Sequence, residues 1–314
     1  MKKTILALTA VPFLLSADVI PAINSKGGAL VMPQGKLKAE IKQINFDRKN
    51  MFNKTNEVQN RESLDATANI TLVSLYYGLS DETSIGVMVP YKNIEATASL
   101  GGNAVEIQNK GLGDILLIAR HVLMPMQEWG FQLSVDGGLK LPTGSTNGSF
   151  KVSPPIANGV NTPLPTQMGT GEFEYKLGVG VTKMISDSWE ASAHTMYTYR
   201  PKAHNDYDFG DELSLDLATT KAVTKQFNIG VEYNFIYNTK TSMGSDTNAQ
   251  LRAMLPFKAF SGESGYITPQ IEFLPFAKPK IHFGFGVSFL SNYNLKEYQP
   301  LEKRRYIFRM GYLF

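Results

Sequence analysis

The chain has 314 residues, with 31 Lys and Arg against 28 Asp and Glu, and its net charge of +3 gives no reason to expect nucleic acid as a partner. Charged residues make up 19%, below the roughly 25% of a soluble domain, and aromatics reach 11%. There is no cysteine, which excludes disulfides, thiol nucleophiles, thiolate metal sites and a lipid-anchored N-terminal Cys.

Met1, Lys2 and Lys3 precede an apolar run from Ile5 to Leu15, and the small residues Ser16 and Ala17 follow. This order reads as a secretory signal peptide over residues 1–17, although Leu15 stands where cleavage prefers a small residue. Beyond it no run of about 18 apolar residues occurs, so no transmembrane helix is predicted. Residues 18–34 are expected to form a periplasmic N-terminal segment, and residues 35–314 a β-barrel domain.

From residue 35 onward the dominant signal is a period of two, which sorts side chains onto the two faces of a strand. Strands are predicted at Gly35–Phe46, Glu62–Tyr77, Thr83–Glu95, Gly113–Val122, Gly130–Leu141 and Gly171–Met184. The second half adds Trp189–Arg200, Asp211–Thr220, Gln226–Thr239, Gly265–Leu274, Lys280–Leu290 and Arg304–Phe314. In the sixth of these Phe173, Tyr175, Leu177, Val179 and Val181 share one face, while Glu174, Lys176, Gly178 and Gly180 share the other. Many of these runs match the roughly 9 to 11 residues that a tilted strand needs to cross a bilayer. Ala249–Phe260 also alternates, but Pro256 interrupts it and it is assigned to a loop.

Short connections alternate with long ones. The long ones are Asp47–Arg61, Ala96–Leu112, Pro142–Thr170, Pro201–Gly210, Lys240–Ser264 and Ser291–Lys303. Short periplasmic turns and long outer loops mark an outer-membrane barrel. The predicted fold is therefore all-β, a transmembrane antiparallel up-and-down barrel of about twelve strands in a bacterial outer membrane. Tyr306, Phe308, Met310, Tyr312 and the terminal Phe314 share one face of the last strand. They are read as a lipid-facing closing strand and as the signal presented to the barrel assembly machinery. Lipids and lipopolysaccharide are the other partners expected of such a barrel.

The charged residues fall opposite the apolar faces. Arg120, Asp136, Lys140, Glu174, Lys176, His194 and Glu232 are the lumen candidates, because an Arg or Lys on lipid costs about 2–4 kcal/mol at the midplane. They read either as a ladder of mutually neutralising charges or as a polar constriction, with Arg120, Asp136, Lys140 and Glu174 in the restricted zone. The loop Pro142–Thr170 has a single charge, Lys151, and reads equally as a surface loop or as a segment folded into the channel. No catalytic site, metal site or cofactor is expected: no nucleotide or zinc motif appears, and His204, ahead of Asn205 and Asp206, has no identifiable second acidic pair.

Several short passages carry a family resemblance. Gly111-Leu112-Gly113-Asp114, Leu139-Lys140-Leu141-Pro142-Thr143-Gly144, Gly169-Thr170-Gly171 and Gly210-Asp211-Glu212-Leu213 stand in an order that resembles one outer-membrane family. Tyr77-Gly78-Leu79-Ser80-Asp81 ahead of Val89-Pro90-Tyr91 fits the same order. The family is the one labelled "putative MetA-pathway of phenol degradation". The resemblance implies a channel or facilitator for passive uptake of small, hydrophobic or aromatic cargo. A narrow general or ion-selective porin, and a structural or adhesive barrel with a blocked lumen, are the competing readings.

Overall fold

The computed structural model describes residues 28–153, 159–202, 207–242, 260–276 and 280–314. The expected signal peptide, His204 and all but the last residue of Ala249–Phe260 lie outside these. Sixteen strands follow one another among the described residues: β1 (Leu37–Arg48), β2 (Asn50–Lys54), β3 (Asn56–Val58), β4 (Asp65–Gly78), β5 (Thr83–Leu100), β6 (Asn103–Leu112), β7 (Ile115–Met124) and β8 (Gln132–Leu141), then β9 (Phe150–Val152), β10 (Glu174–Ser186), β11 (Trp189–Tyr199), β12 (Glu212–Ala222), β13 (Phe227–Asn238), β14 (Gly262–Phe273), β15 (Ile281–Leu301) and β16 (Arg304–Leu313).

Twelve of them close into an antiparallel barrel, each next to its neighbour in sequence, with β1 completing the ring against β16. The remaining four, β2, β3, β6 and β9, stand beyond the ring at the long-loop end. Connections at the other end are short, as at Asp187–Ser188 between β10 and β11. The one α-helix among the described residues, α1 (Met126–Trp129), fills the turn between β7 and β8.

The alternation has the predicted orientation. On β10 Tyr175, Leu177 and Val179 are exposed on the outside, while Glu174 and Thr182 are buried inside. On β13 Phe227, Ile229 and Val231 point out, and Asn228, Glu232 and Asn234 are buried. Exposed rings collect at both rims: Tyr77, Trp189, Phe227, Phe273 and Phe314 at the short-turn end, and Tyr91, Tyr175, Tyr199, Phe289 and Tyr306 toward the long loops. An apolar outer band between two aromatic girdles is the surface that lipid requires.

Three predicted loops are strand over much of their length, and a fourth, Pro142–Thr170, carries the short β9 paired with β6. β5 continues to Leu100 and pairs with β6, so Ala96–Leu112 is largely a hairpin extending the barrel wall. Asp47–Arg61 contains the β2–β3 hairpin. β15 runs on to Leu301 and pairs with β2, with Leu295 buried and the Phe52 and Tyr293 rings edge to face at 4.7 Å. Each segment is rich in Ser, Asn, Thr or Ala, whose weak apolar contrast resembles a loop until a neighbouring strand supplies the ladder.

Candidate functional site

On β1, β4 and β5 the polarity of the two faces reverses part-way along the strand. Below the reversal, toward the short turns, Ile41, Val73, Leu75, Ile85 and Tyr91 point outward and are exposed. Above it the outward positions are Asn45 and Asp47 on β1, Asp65, Thr67 and Asn69 on β4, and Asn93, Glu95, Thr97 and Ser99 on β5. The inward positions become apolar there: Ile44 and Phe46, Ala66, Ala68 and Ile70, and Ile94, Ala96, Ala98 and Leu100. Gln43, Thr71 and Tyr91 are paired across the three strands, so the reversal falls at a single level. Below that level the wall suits lipid outside and water inside; above it the preferences are exchanged.

The inverted wall encloses a cavity of about 510 Å³, within the range of roughly 300–1,000 Å³ of small-molecule sites. Leu100, Val105 and Ile107 form its packed side, with Ala96 and Phe150 against them. Burying each of these three large side chains contributes roughly 1.5–3 kcal/mol, enough to hold a wall that stands outside the lipid band. The roof comes from the described parts of loop 142–170, notably Thr146, Asn147 and Val160–Thr166, with Tyr207 and Phe260 closing it from other loops. Lys92, on β5, is at the floor, and Arg48 and Glu62 also line the space.

The roof is pinned at both ends by one carboxylate. Asp114 Oδ1 accepts the Gly144 N–H at 2.9 Å, and Oδ2 accepts the Thr170 N–H at 2.9 Å and the Thr170 hydroxyl at 3.1 Å. The ends of the loop therefore approach so closely that a Cβ on Gly169 would sit 2.6 Å from Asp114 Oδ1, which requires glycine there. Thr143 Oγ1 donates to the Gly113 carbonyl and accepts from Ile115 N–H. Asn109 donates to Thr162 Oγ1 at 2.8 Å and to the Thr166 carbonyl at 2.9 Å, and Gln167 clamps Thr162 and Gly148. The passages Gly111–Asp114, Leu139–Gly144 and Gly169–Gly171 thus converge on one point, which explains why they occur together.

Beneath the roof the lumen is charged. Lys140 Nζ lies 2.5 Å from Glu174 Oε1, 3.0 Å from Asp114 Oδ2 and 2.7 Å from Thr170 Oγ1. Lys176 is 3.8 Å from the same glutamate, and Arg200 joins Glu174 to Glu212. A second group sits deeper. Arg120 grips Asp136 through Nε at 2.6 Å and Nη2 at 2.8 Å, and His194 Nε2 lies 2.5 Å from Asp136 Oδ2. Further round the wall Arg309 is paired with Glu272, and Lys38 with Glu40. Glu232 accepts from Asn234, which also donates to Asp216. Such buried charges are tolerable because each meets an opposite charge or a hydrogen-bond partner. Arg120, Asp136, Lys140 and Glu174 form two groups rather than one: Asp136 and Lys140 are four residues apart on β8, about 13 Å at ~3.3 Å per residue.

The chain ahead of β1 enters this lumen. The Ala29 N–H donates to Thr182 Oγ1 at 2.9 Å, Gln132 donates to the Ala29 carbonyl at 2.8 Å, and Arg120 Nη1 donates to the Leu30 carbonyl at 2.9 Å. Gly28 packs so near Gly180 that a Cβ there would collide with the Gly28 carbonyl. These bonds involve main-chain atoms of residues 28–30, so no side-chain pattern in the sequence announces them.

The sequence pattern of the family described as "Putative MetA-pathway of phenol degradation" matches residues 33–289, most of the chain. The chain belongs to that family. No curated protein sequence matches it. Among solved structures, an outer membrane channel from Pseudomonas putida F1 is similar in fold, with a TM-score of 0.67 at 12% identity, over 92% of this chain and 99% of that one. The Pseudomonas putida toluene transporter TodX aligns at a TM-score of 0.47 and 8% identity, over 89% of this chain and 90% of that one. The family match and the first of these structures agree with the twelve-strand barrel.

Proposed function

We propose that the protein is a channel of a Gram-negative outer membrane, with its long loops outside and both termini in the periplasm, that admits small hydrophobic or aromatic compounds passively. The observation that carries this reading is the apolar cavity enclosed above the lipid band, at the mouth of a charged lumen. A hydrophilic porin gains nothing from an apolar chamber at its entrance, whereas an apolar solute is concentrated there before it meets the lumen. The test is flux into liposomes holding the refolded protein, comparing a phenol-sized aromatic with a sugar and correcting for protein-free lipid. Faster aromatic flux, reduced when Ile94→Glu places a charge in the chamber, is the expected result. Sugar or ion flux without aromatic preference would instead make the protein a narrow general porin.

The segment at residues 28–30 supports a second reading, a structural or adhesive barrel whose lumen stays blocked and whose long loops bind a partner. Absence of flux from folded protein, together with loop-dependent adhesion of cells, would favour that reading.

A further inference from the structure

We infer that Lys92 selects the cargo of the apolar chamber, and that this cargo is an apolar molecule carrying a hydrogen-bond-accepting oxygen rather than a bare hydrocarbon. The inference rests on the chamber being the entry site of the proposed channel. It deepens that reading by naming the group that discriminates among apolar compounds.

Three charged side chains line the chamber: Arg48, Glu62 and Lys92. Arg48 is held by the buried Glu302 at 2.7 Å and lies over the Phe46 ring at 5.3 Å. Glu62 accepts the Tyr298 hydroxyl at 2.6 Å. Lys92 differs from both. Its Nζ donates to the Met168 carbonyl at 2.7 Å, and among the described residues no carboxylate comes within ion-pair distance of it. The ammonium has three protons, so its donor capacity exceeds that single acceptor. Asp114, the nearest acid in the roof anchor, is already engaged by Lys140, Thr170 and Gly144.

Position adds to this. Lys92 pairs with Ile70 and Gly111 at the level where the inward face changes from apolar to polar, and Ile94, Ala96 and Ala98 rise above it on the same face. A solute filling the chamber therefore puts its apolar body against those side chains and its lower end against the ammonium. A hydrocarbon would strip water from Lys92 and return nothing. A hydroxyl, carbonyl or carboxylate oxygen would restore the lost hydrogen bond. Because Lys92 also holds Met168, a bound oxygen would share the ammonium that ties down the roof beside its anchor.

The test is equilibrium binding to full-length refolded protein in lipid nanodiscs, with binding to protein-free nanodiscs subtracted. Naphthalene, naphthol and naphthoate serve as probes of one skeleton. Wild type is expected to bind naphthol or naphthoate about tenfold more tightly than naphthalene, the size of one net hydrogen bond. Lys92→Met should erase that preference and leave naphthalene binding equal or tighter, and Lys92→Arg should restore it. Whichever oxygenated probe gains more identifies the head group. A folded Lys92→Met protein, judged by heat-modifiable migration, that kept the preference would overturn the inference. Equal binding of all three by wild type would overturn it while leaving the channel reading intact; no binding of any would count against the chamber itself.

Discussion

Removing the carboxylate of Asp114 should release the roof without unfolding the barrel. Asp114→Ala takes away acceptors from two main-chain N–H groups, one hydroxyl and one ammonium, all at or below 3.1 Å. Lys140 keeps Glu174, so the ammonium is not left alone. The loss therefore falls on the Gly144 and Thr170 N–H groups, each worth about 1–3 kcal/mol when unpaired, although water admitted on opening recovers part of it. A net weakening of about 3 kcal/mol is a factor of about 100 in the open population of the loop, at roughly 1.4 kcal/mol per decade. Lys151, exposed on the short β9 within the loop and ion-paired with Glu106 at 2.5 Å, is the natural reporter: trypsin cleavage after it should accelerate by that order while the barrel remains resistant. Asp114→Asn, with one acceptor oxygen, should fall between. A change of less than threefold in Asp114→Ala, with the Lys151–Glu106 ion pair unaltered, would show that Asp114 does not hold the roof.

Four further outcomes follow from the geometry. Asp136→Ala leaves the buried Arg120 without its carboxylate and should cost about 3–5 kcal/mol in guanidinium unfolding from vesicles, whereas Asp136→Ala with Arg120→Met should cost less than the single change; a double variant worse than the single would sink that account. Val179→Arg, on the lipid face midway along β10, should cost about 2–4 kcal/mol in the same assay, and no loss would mean that this face does not meet lipid. Gly180→Val should push the Gly28 carbonyl out of its place and raise single-channel conductance in planar bilayers; an unchanged conductance would mean that residues 28–30 do not limit the pore. Glu302, in the turn between β15 and β16, is buried, which raises its carboxyl pKa, but the Arg48 and Arg305 guanidiniums outweigh burial and leave it at about 2, below the ordinary 4.5. Its folded value is depressed, so its contribution is present above pH 4.5 and lost as pH falls toward 2. The loss is about 3 kcal/mol, and Glu302→Gln should show a correspondingly flatter unfolding midpoint over that window.

The barrel was legible because a single physical rule, apolar out and polar in, operates on strands such as β10 and β13 for their full crossing. The same rule hid the chamber. On β5 the inward Ile94, Ala96 and Ala98 and the outward Glu95 and Thr97 obey it with the sign exchanged, so a search for apolar outer faces ends the strand at Glu95. The exchange was visible in the sequence as a shift of apolar parity after Tyr91, and it marks both the edge of the lipid band and the start of the site. Lys92 had the inward parity of Ser84 and Gly86 but is alone among apolar neighbours, and it did not join the lumen ladder. The role of Asp114 was not legible, because its partners are backbone N–H groups at Gly144 and Thr170, which carry no side-chain signature. The path of residues 28–30 was hidden for the same reason.

Closure of the ring by β1 and β16 sets how this chain can be made. The seam joins Lys38 to Leu313, residues 275 positions apart, and it cannot form until the final strand has been synthesised. Every shorter chain carries two unsatisfied strand edges and a run of outward Tyr, Phe and Leu with no lipid to cover it. With its defining contact at the far extreme of sequence separation, the fold has the topology of a slow folder, and most of its neighbouring strands gain full support together at the end. Loss of the last ten residues, nine of them in β16, would therefore leave the ring open rather than weaken one strand locally.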